Sequence, residues 1–476
     1  MYLKSLIGHC AHLLKIAFKS PSAPDNLASQ FFRQKKYIGS KERAFISESF
    51  FLAIKLKLTA DFLIRKQYLI EQKKIEDYKE KIIVVTVLQL SWLLKPAIAE
   101  HLKNTILILF KTETEFEIAL LDYLTELFIS RDAASTFLKA IKAGYIRLSD
   151  ESMYSETAED ENVIEKISLR NSIPDWILRD LHENRHTSYS IQKCAAIAES
   201  LLEPPPVTLR VNEAAIDRNY AIESLSKSEI NCKMGRLSPV SLILNKRMQL
   251  NTNELFKRGL IEVQDESSQL AAFALAPKEG ERILDACAGA GGKTLHLASI
   301  CRDKCRIISS DTEILRLKEI RKRASRFGFK SITTLLLKNG ASPKELSVGF
   351  NAVLVDAPCS GTGVLRRQPM QKWKISPESI RKQSAKQLEI LEFYSKTVKK
   401  GGRLVYSTCS LLPEENDEVV ENFLKRNPEF HPSPFYHIFA SKEINIPTMN
   451  EDTYKLSITP DMFGSDGFFI SKFIRE

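Results

Sequence analysis

From about residue 280 to the end of the chain, short apolar runs alternate with helical patterns, and this alternation limits the possible folds more than any other feature of the 476 residues. "RILDACAGAGG" leads into "KTLHLASI", and "RIISSD" leads into a segment with Ile314, Leu317, Ile320, Ala324 and Phe327 on one helical face, ended by Gly328. "TTLLL" and "NAVLVDAP" read as further short strands. Ser376 and Pro377 form a cap and first-turn pair for a helix whose Leu388, Leu391, Tyr394 and Val398 share a stripe, and Gly401-Gly402 turns the chain into "RLVYSTCS". Strands alternating with helices predict an α/β domain with a parallel, doubly wound sheet, in which ligands lie beyond the carboxyl ends of the strands. The polar clusters of the sequence sit at such ends.

The rest of the chain is organised differently. Residues 1–149 read as helix after helix, with Gly and Pro scarce and stretches such as "EFEIALLDYLTELFI" carrying apolar residues at three- and four-residue spacing. Residues 150–165 hold seven acids and no Lys or Arg, the composition of a solvated linker. Residues 166–275 read as a linking α+β region, broken at "EPPPVTLRVN", where three prolines end a helix before an extended segment. Residues 276–476 form the α/β domain. The opening "MYLKSLIGHCAHLLKIAFKS" has Lys and His in its apolar face and no small-residue cleavage site, so it reads as an amphipathic helix rather than a signal peptide. No run approaches the roughly 18 apolar residues of a membrane span. A soluble, cytoplasmic protein is expected.

Lys plus Arg number 69 against 59 Asp plus Glu, a net charge of +10 that favours a polyanionic partner, nucleic acid first. The eight cysteines show no regular framework and read as reduced thiols. Cys301 and Cys305 have the spacing of half a zinc site, but no second pair or His cluster completes it, and no metal is expected.

"DACAGAGGKT", 285–294, ends like a phosphate loop but has Cys287 where that loop needs its first glycine. The dinucleotide fingerprint also fails, since Gly289 and Gly291 are not followed by a glycine at 294. What remains is an acid at a strand end, then glycines that let backbone approach a ligand closely. Asp311 ends the next strand, where a carboxylate accepts both ribose hydroxyls of a nucleoside. An adenosine ligand without a pyrophosphate fits this pattern, which points to S-adenosylmethionine; the competing reading is an ordinary tight turn with Asp311 as a helix cap.

Two thiols end neighbouring strands, Cys359 in "VLVDAPCSGTG" and Cys409 in "VYSTCS". A single buried cysteine is commonly inert packing, and a metal needs more ligands than these supply. Methylation of a pyrimidine carbon gives both a purpose. Carbon 5 of cytosine is a poor nucleophile until a group adds to carbon 6, and a thiolate does this far better than a hydroxyl. Afterwards the carbon-5 hydrogen must leave so that the thiol is expelled, and a second group beside the ring assists. Asp356 can hydrogen-bond ring nitrogen 3 or the exocyclic amine as charge develops. Methylation of an exocyclic amine would instead call for an aromatic after the acid, and "DAPCSG" has none. Which thiol attacks is left open by this chemistry.

With "LRVN" at 209–212, "VQDESSQLAA" at 263–272, "DAPCSGTGVLRRQP", "YSTCSLLPEEN" and "DGFFISKF", the sequence resembles the Sun/Fmu (RsmB-type) RNA cytosine-5 methyltransferase family over residues 170–476. Through "FFRQKKYIGSKERAFISESFF", the N-terminal third resembles the NusB-like RNA-binding domain of its bacterial members. The resemblance implies a Rossmann-like S-adenosylmethionine-dependent methyltransferase domain behind an all-helical NusB-like domain. It makes Cys409 the nucleophile on carbon 6 and Cys359 the thiol that assists release, with Asp356 between cofactor and base. Cys287, Ala288, Gly289, Ala290, Gly291, Gly292 and Lys293 would cradle methionine and ribose, and Asp311 would take the ribose hydroxyls. The family's usual acid for the adenine amine is replaced by Asn339, whose amide oxygen can still accept that bond. The implied partner is RNA, 16S ribosomal RNA first and transfer RNA second, with a monomer acting and no membrane or metal. The rival expectation is a non-catalytic RNA-binding assembly factor. "VLRRQPMQKWK", 364–374, follows the Cys359 loop, so Arg366, Arg367, Lys372 and Trp373 are expected to hold phosphates and a neighbouring base.

Overall fold

The computed structural model describes residues 2–66, 78–128, 130–150, 162–246, 248–337 and 344–476. In chain order its strands are β1 (Val207–Val211), β2 (Cys232–Met234), β3 (Ser241–Leu244), β4 (Ile261–Val263), β5 (Arg282–Ala286), β6 (Arg306–Asp311), β7 (Ile332–Leu336), β8 (Phe350–Asp356), β9 (Val398–Thr408), β10 (Phe430–Pro432), β11 (Lys455–Ile458) and β12 (Phe468–Arg475). Strands β5 to β12 make one sheet in the order β10-β12-β9-β8-β5-β6-β7, with β11 paired to β12. Its run from β7 to β9 is parallel, and β12 lies antiparallel to β9. From β5 the chain steps outward to β6 and β7, then returns as β8 on the other side of β5. That reversal opens a crevice beyond the carboxyl ends of β5 and β8, the place where open α/β sheets bind ligands.

Both faces of this sheet are covered, which is why its central strands are apolar without alternation. Ala352, Val353, Leu354 and Val355 of β8 are fully buried. Alternate residues point to opposite faces. Ile283, Ala352, Leu354 and Val405 pack with Leu270 and Leu297 from the helices Glu266–Leu275 and Gly292–Ile300. Leu284, Val353, Val355 and Leu404 pack with Leu388, Leu391 and Phe423 from the helices Pro377–Ser395 and Asp417–Arg426. Ser376 caps the helix Pro377–Ser395 with a reciprocal capping box to Ser379, as the Ser-Pro pair predicts. Val398 leaves the expected helical stripe: it is the first residue of β9, paired with Phe350, and the strand runs on through Gly401-Gly402. A register irregularity there, with Gly401 at φ 73°, absorbs the two glycines as a bulge rather than a turn.

A smaller antiparallel sheet, β2-β3-β1-β4, belongs to the same compact unit, residues 205–364 with 375–476. It is bonded to the helix that follows the glycine loop. The buried Arg210 guanidinium donates to the Gly292 carbonyl at 2.6 Å, and the Ser299 hydroxyl donates to Asn212 at 2.8 Å. The "LRVN" stretch is thus a tie behind the crevice.

The other unit comprises residues 1–204 and 365–374, and among its described residues the regular structure is helical. Helices such as Leu3–Lys19, Ser40–Lys55 and Lys79–Leu90 turn Leu6, Ile7, Leu14, Phe45, Phe50, Val84 and Leu88 into one core. Compact packing divides the expected linking region, 166–275, at 204/205, giving the helices before Pro204 to this unit and the small sheet with the helices after it to the other. The acidic linker of 150–165 falls largely outside the described residues. In the segment 365–374, expected to contact RNA, Arg367 is exposed, whereas the expectation is corrected for Lys372 and Trp373. Lys372 donates to the Lys55 carbonyl at 2.7 Å and the Trp373 indole to the Ile54 carbonyl at 2.9 Å, while Met370 joins the helical core. Arg366 is buried as well. An apolar Met and Trp within a basic run drew the segment inward.

The expectation that all cysteines are free is also corrected. Cys301 and Cys305 form a disulfide at the end of the helix Gly292–Ile300, which removes them from any zinc site. Among the described residues, no group of His, Cys, Asp or Glu is arranged to hold a metal ion, and no helix is long and apolar enough to cross a membrane.

Candidate active site

Two adjacent parallel strands set the chemistry. In the register of β8 and β9, Asp356 lies opposite Ser407, and each chain then leaves the sheet into a turn of small residues. Those turns bring Cys359 Sγ to 3.2 Å from Cys409 Sγ, with both residues partly exposed. The hydrogen bond to Cys409, burial and the neighbouring charges of Cys409 and Glu415 hold the Cys359 thiol well above the usual thiol range. At this separation either sulfur can donate to the other, and a proton on Cys359 would place a donor against the Cys409 sulfur.

The turns are joined to each other by a buried polar network. Thr362 and Ser410 hydroxyls meet at 3.0 Å, the Leu411 amide donates to Thr362 at 2.8 Å, and the Asn416 amide group donates to the Ser410 carbonyl at 3.0 Å. The buried Glu415 carboxylate accepts from the Ser360 amide at 2.8 Å and from Gln387 at 3.0 Å. Glycines close the arrangement. The Gly363 amide donates to the Cys409 carbonyl and the Gly467 amide to the Gly363 carbonyl, each at 2.9 Å. A Cβ on Gly363 would meet Gly467 O at 2.5 Å and Cys409 O at 2.8 Å, so the crossing admits no side chain.

Asp356 connects the thiols to the glycine loop. Its carboxylate accepts from Lys293 at 2.7 Å and from Ser407 at 2.8 Å. The Lys293 ammonium also lies 5.0 Å above the ring of Phe468, the first residue of β12, so the "DGFF" stretch contributes to the same junction.

The loop between β5 and the helix Gly292–Ile300 is held in left-handed backbone: Cys287 at φ 59°, Gly289 at 55° and Gly291 at 86°. Glycine accepts this freely, whereas a cysteine there is a strained exception of the sort found at ligand sites. Around Gly289 and Gly292 a Cβ would meet open space, while Gly291 is pressed against Ile320. Ala290 is exposed and Ala288 donates its amide to the Ser310 carbonyl at 2.9 Å. Asp311 accepts the Gly289 amide at 2.9 Å and the Glu313 amide at 2.8 Å. Burial, then the charges of Asp356, Asp311 and Asp285, push the Cys287 thiol up to about 12. That response puts three carboxylates around one loop.

Asp285 is fully buried, and burial pushes its carboxyl up to about 7 despite a 2.5 Å hydrogen bond from Thr294. Its Oδ1 has no hydrogen-bond partner among the described residues. An exposed backbone cradle flanked by carboxylates suits a nucleoside ligand bearing a cationic amino acid, so the residues present fit S-adenosylmethionine.

The structure thus brings Cys359, Cys409, Asp356 and Lys293 together, with Cys287–Gly292 and Asp311 at the neighbouring strand ends. Asn339 lies outside the described residues. Reading the sequence missed Ser407, Gly363 and the network of Ser360, Thr362, Ser410, Glu415 and Asn416. The small polar residues beside two strand-end cysteines were a signal for the network, whereas Glu415 carried none until the fold buried it.

Residues 272–474 match the family described as 16S rRNA methyltransferase RsmB/F, and residues 173–251 match an RsmF/B-like ferredoxin-like domain. The chain is 35% identical over 312 residues to the "Probable ribosomal RNA small subunit methyltransferase B" of Bacillus subtilis (strain 168), covering 65% of this chain and 68% of that protein. It is 32% identical over 313 residues to the ribosomal RNA small subunit methyltransferase B of Shewanella oneidensis, covering 65% and 69%. Among solved structures it is similar to a methyltransferase homologue from Pyrococcus horikoshii, with 28% identity, a TM-score of 0.54 and coverage of 67% of this chain and 100% of that one.

Proposed function

The chain belongs to the RsmB/F family of 16S rRNA methyltransferases, and from that premise we propose that it methylates carbon 5 of a cytosine in 16S ribosomal RNA, through a transient bond between Cys409 and carbon 6. Its fold is a Rossmann-like methyltransferase domain with a helical unit that fits a NusB-like domain, and its methyl donor is S-adenosylmethionine. The observation that carries the proposal is the 3.2 Å contact between Cys359 and Cys409 Sγ beside Asp356. A single packing cysteine needs no second sulfur.

Cys409, as its thiolate, adds to carbon 6 of the extruded base and makes carbon 5 nucleophilic. Bound S-adenosylmethionine supplies an electrophilic methyl group on a sulfonium. Asp356, steadied by Lys293 and Ser407, hydrogen-bonds the ring nitrogen or exocyclic amine and stabilises the developing charge. Water then takes the carbon-5 hydrogen as a proton, the C–H pair re-forms the double bond to carbon 6, and Cys409 leaves with the pair that bound it, the Cys359 thiol stabilising the departing sulfur. The loop 287–293 and Asp311 hold the donor. The work is done by a monomer in the cytoplasm.

The test is transfer of labelled methyl from S-adenosylmethionine to 16S ribosomal RNA, with mass spectrometry of the digested nucleosides. The expected product is 5-methylcytidine. Label on an exocyclic amine would contradict the mechanism, and no label in any RNA would favour an RNA-binding assembly factor.

A further inference from the structure

We infer that Glu415 is a positioning residue that gives the two thiols different roles: its buried carboxylate, bonded to the amide following Cys359, keeps Cys359 as the proton-bearing partner and leaves Cys409 as the nucleophile. The inference rests on the reading that Cys409 attacks the base.

Two cysteines 3.2 Å apart, both partly exposed and both in turns of small residues, have no obvious difference in chemistry. Glu415 supplies one. It has no exposed surface, and its Oε1 accepts from the Ser360 amide at 2.8 Å and from Gln387 Nε2 at 3.0 Å. Its Oε2 accepts from the Ser360 hydroxyl. Donors converging on both oxygens are the pattern of an ionised carboxylate. Buried charge acts at short range with little screening, and here it lies against the peptide bond that joins Cys359 to Ser360. A thiolate at Cys359 would face it as a like charge.

The other titratable groups facing Cys359 do not replace this effect. Cys409 faces it from the end of β9 at 3.2 Å, within reach to accept from the Cys359 thiol. Tyr406, from within β9, is fully buried, and burial first, then the charges of Cys359 and Glu415, hold its phenol well above the usual range. Asp356 lies on β8 itself, with its charge matched by Lys293. From the helix Pro377–Ser395, Gln387 donates to the Pro358 carbonyl at 3.0 Å as well as to Glu415, and it carries no charge.

The test is trace alkylation with iodoacetamide and no RNA, across a pH range spanning the ordinary thiol value of about 8.5, with each peptide quantified by mass spectrometry. In the unsubstituted protein the midpoint for Cys359 should lie above that for Cys409; the reverse order overturns the inference without any variant. In Glu415→Gln the Cys359 midpoint should fall by about one pH unit, the size of effect a neighbouring charge has, while Cys409 does not fall with it. The double variant Gln387→Glu/Glu415→Gln returns a carboxylate to the same pocket and should restore the higher Cys359 midpoint. An unmoved Cys359 profile, an equal rise in both reactivities at every pH, or failure of the double variant to restore the profile would each show that Glu415 only braces the turn. Because no RNA is present, these outcomes are separate from whether Cys409 attacks cytosine.

Discussion

At the residue scale, buried acids distinguish this site from a generic nucleoside cradle. Asp285 is held neutral to about pH 7 by burial, whereas an unfolded chain releases that proton near 3.9. Between those values the folded state binds the extra proton, so the residue's contribution to stability is full below about 4 and is lost as pH rises through about 7. Asp285→Asn removes that slope. Its melting temperature, measured against the unsubstituted protein, should rise between about pH 5 and about pH 8; a difference that stays flat would mean the carboxyl titrates normally. Much at this scale was legible. Cys359, Cys409, Asp356 and the glycines announce themselves by residue type at strand ends. Glu415 did not, because a Glu in "LLPEEN" reads as a solvated acid until the fold buries it.

At the scale of elements, the site is two turns held edge to edge by backbone. Gly363 and Gly467 touch where their turns cross, and hydrogen bonds run from one to the other and on to Cys409. Gly363→Ala forces those backbones apart, which should destabilise the protein by about 1–3 kcal/mol, as overpacking does. Urea denaturation would measure the loss. Methyl transfer should fall at least tenfold in the same variant, since the Cys409 carbonyl is displaced; full activity would show that the crossing does not position the thiol. The strand–helix alternation predicted this region's order because each strand is buried on two faces and each helix on one, a pattern that local sequence carries. Val398 was misassigned to a helix for a physical reason: an apolar residue one turn after Tyr394 satisfies the helical stripe and also begins a buried strand.

At the scale of the whole molecule, chain order and compact packing diverge. Residues 365–374 follow the Cys359 turn in sequence but form part of the helical unit, with Lys372 and Trp373 bonded to the carbonyls of Lys55 and Ile54. No local pattern distinguishes a basic loop that meets phosphates from one whose ammonium caps a helix end, since both read as Lys, Arg and Trp together. The two uses predict different measurements. A phosphate contact removed by substitution lowers the salt dependence of RNA binding by about one charge. Lys372→Met should leave that slope unchanged and alter thermal stability instead; a reduced slope would return the segment to the RNA surface. The net charge of +10 correctly suggested a polyanion, but charge alone does not say which lysines meet it.

Every role assigned within the site depends on transient bonding of Cys409 to carbon 6 of cytosine. The most direct measurement is to incubate Cys359→Ala and Cys409→Ala separately with 16S ribosomal RNA and S-adenosylmethionine, then look for a protein–RNA species that survives denaturing gel electrophoresis. Cys359→Ala should accumulate the adduct, with the cross-linked nucleotide mapped to Cys409, and Cys409→Ala should form none. An adduct in Cys409→Ala and none in Cys359→Ala would contradict the account.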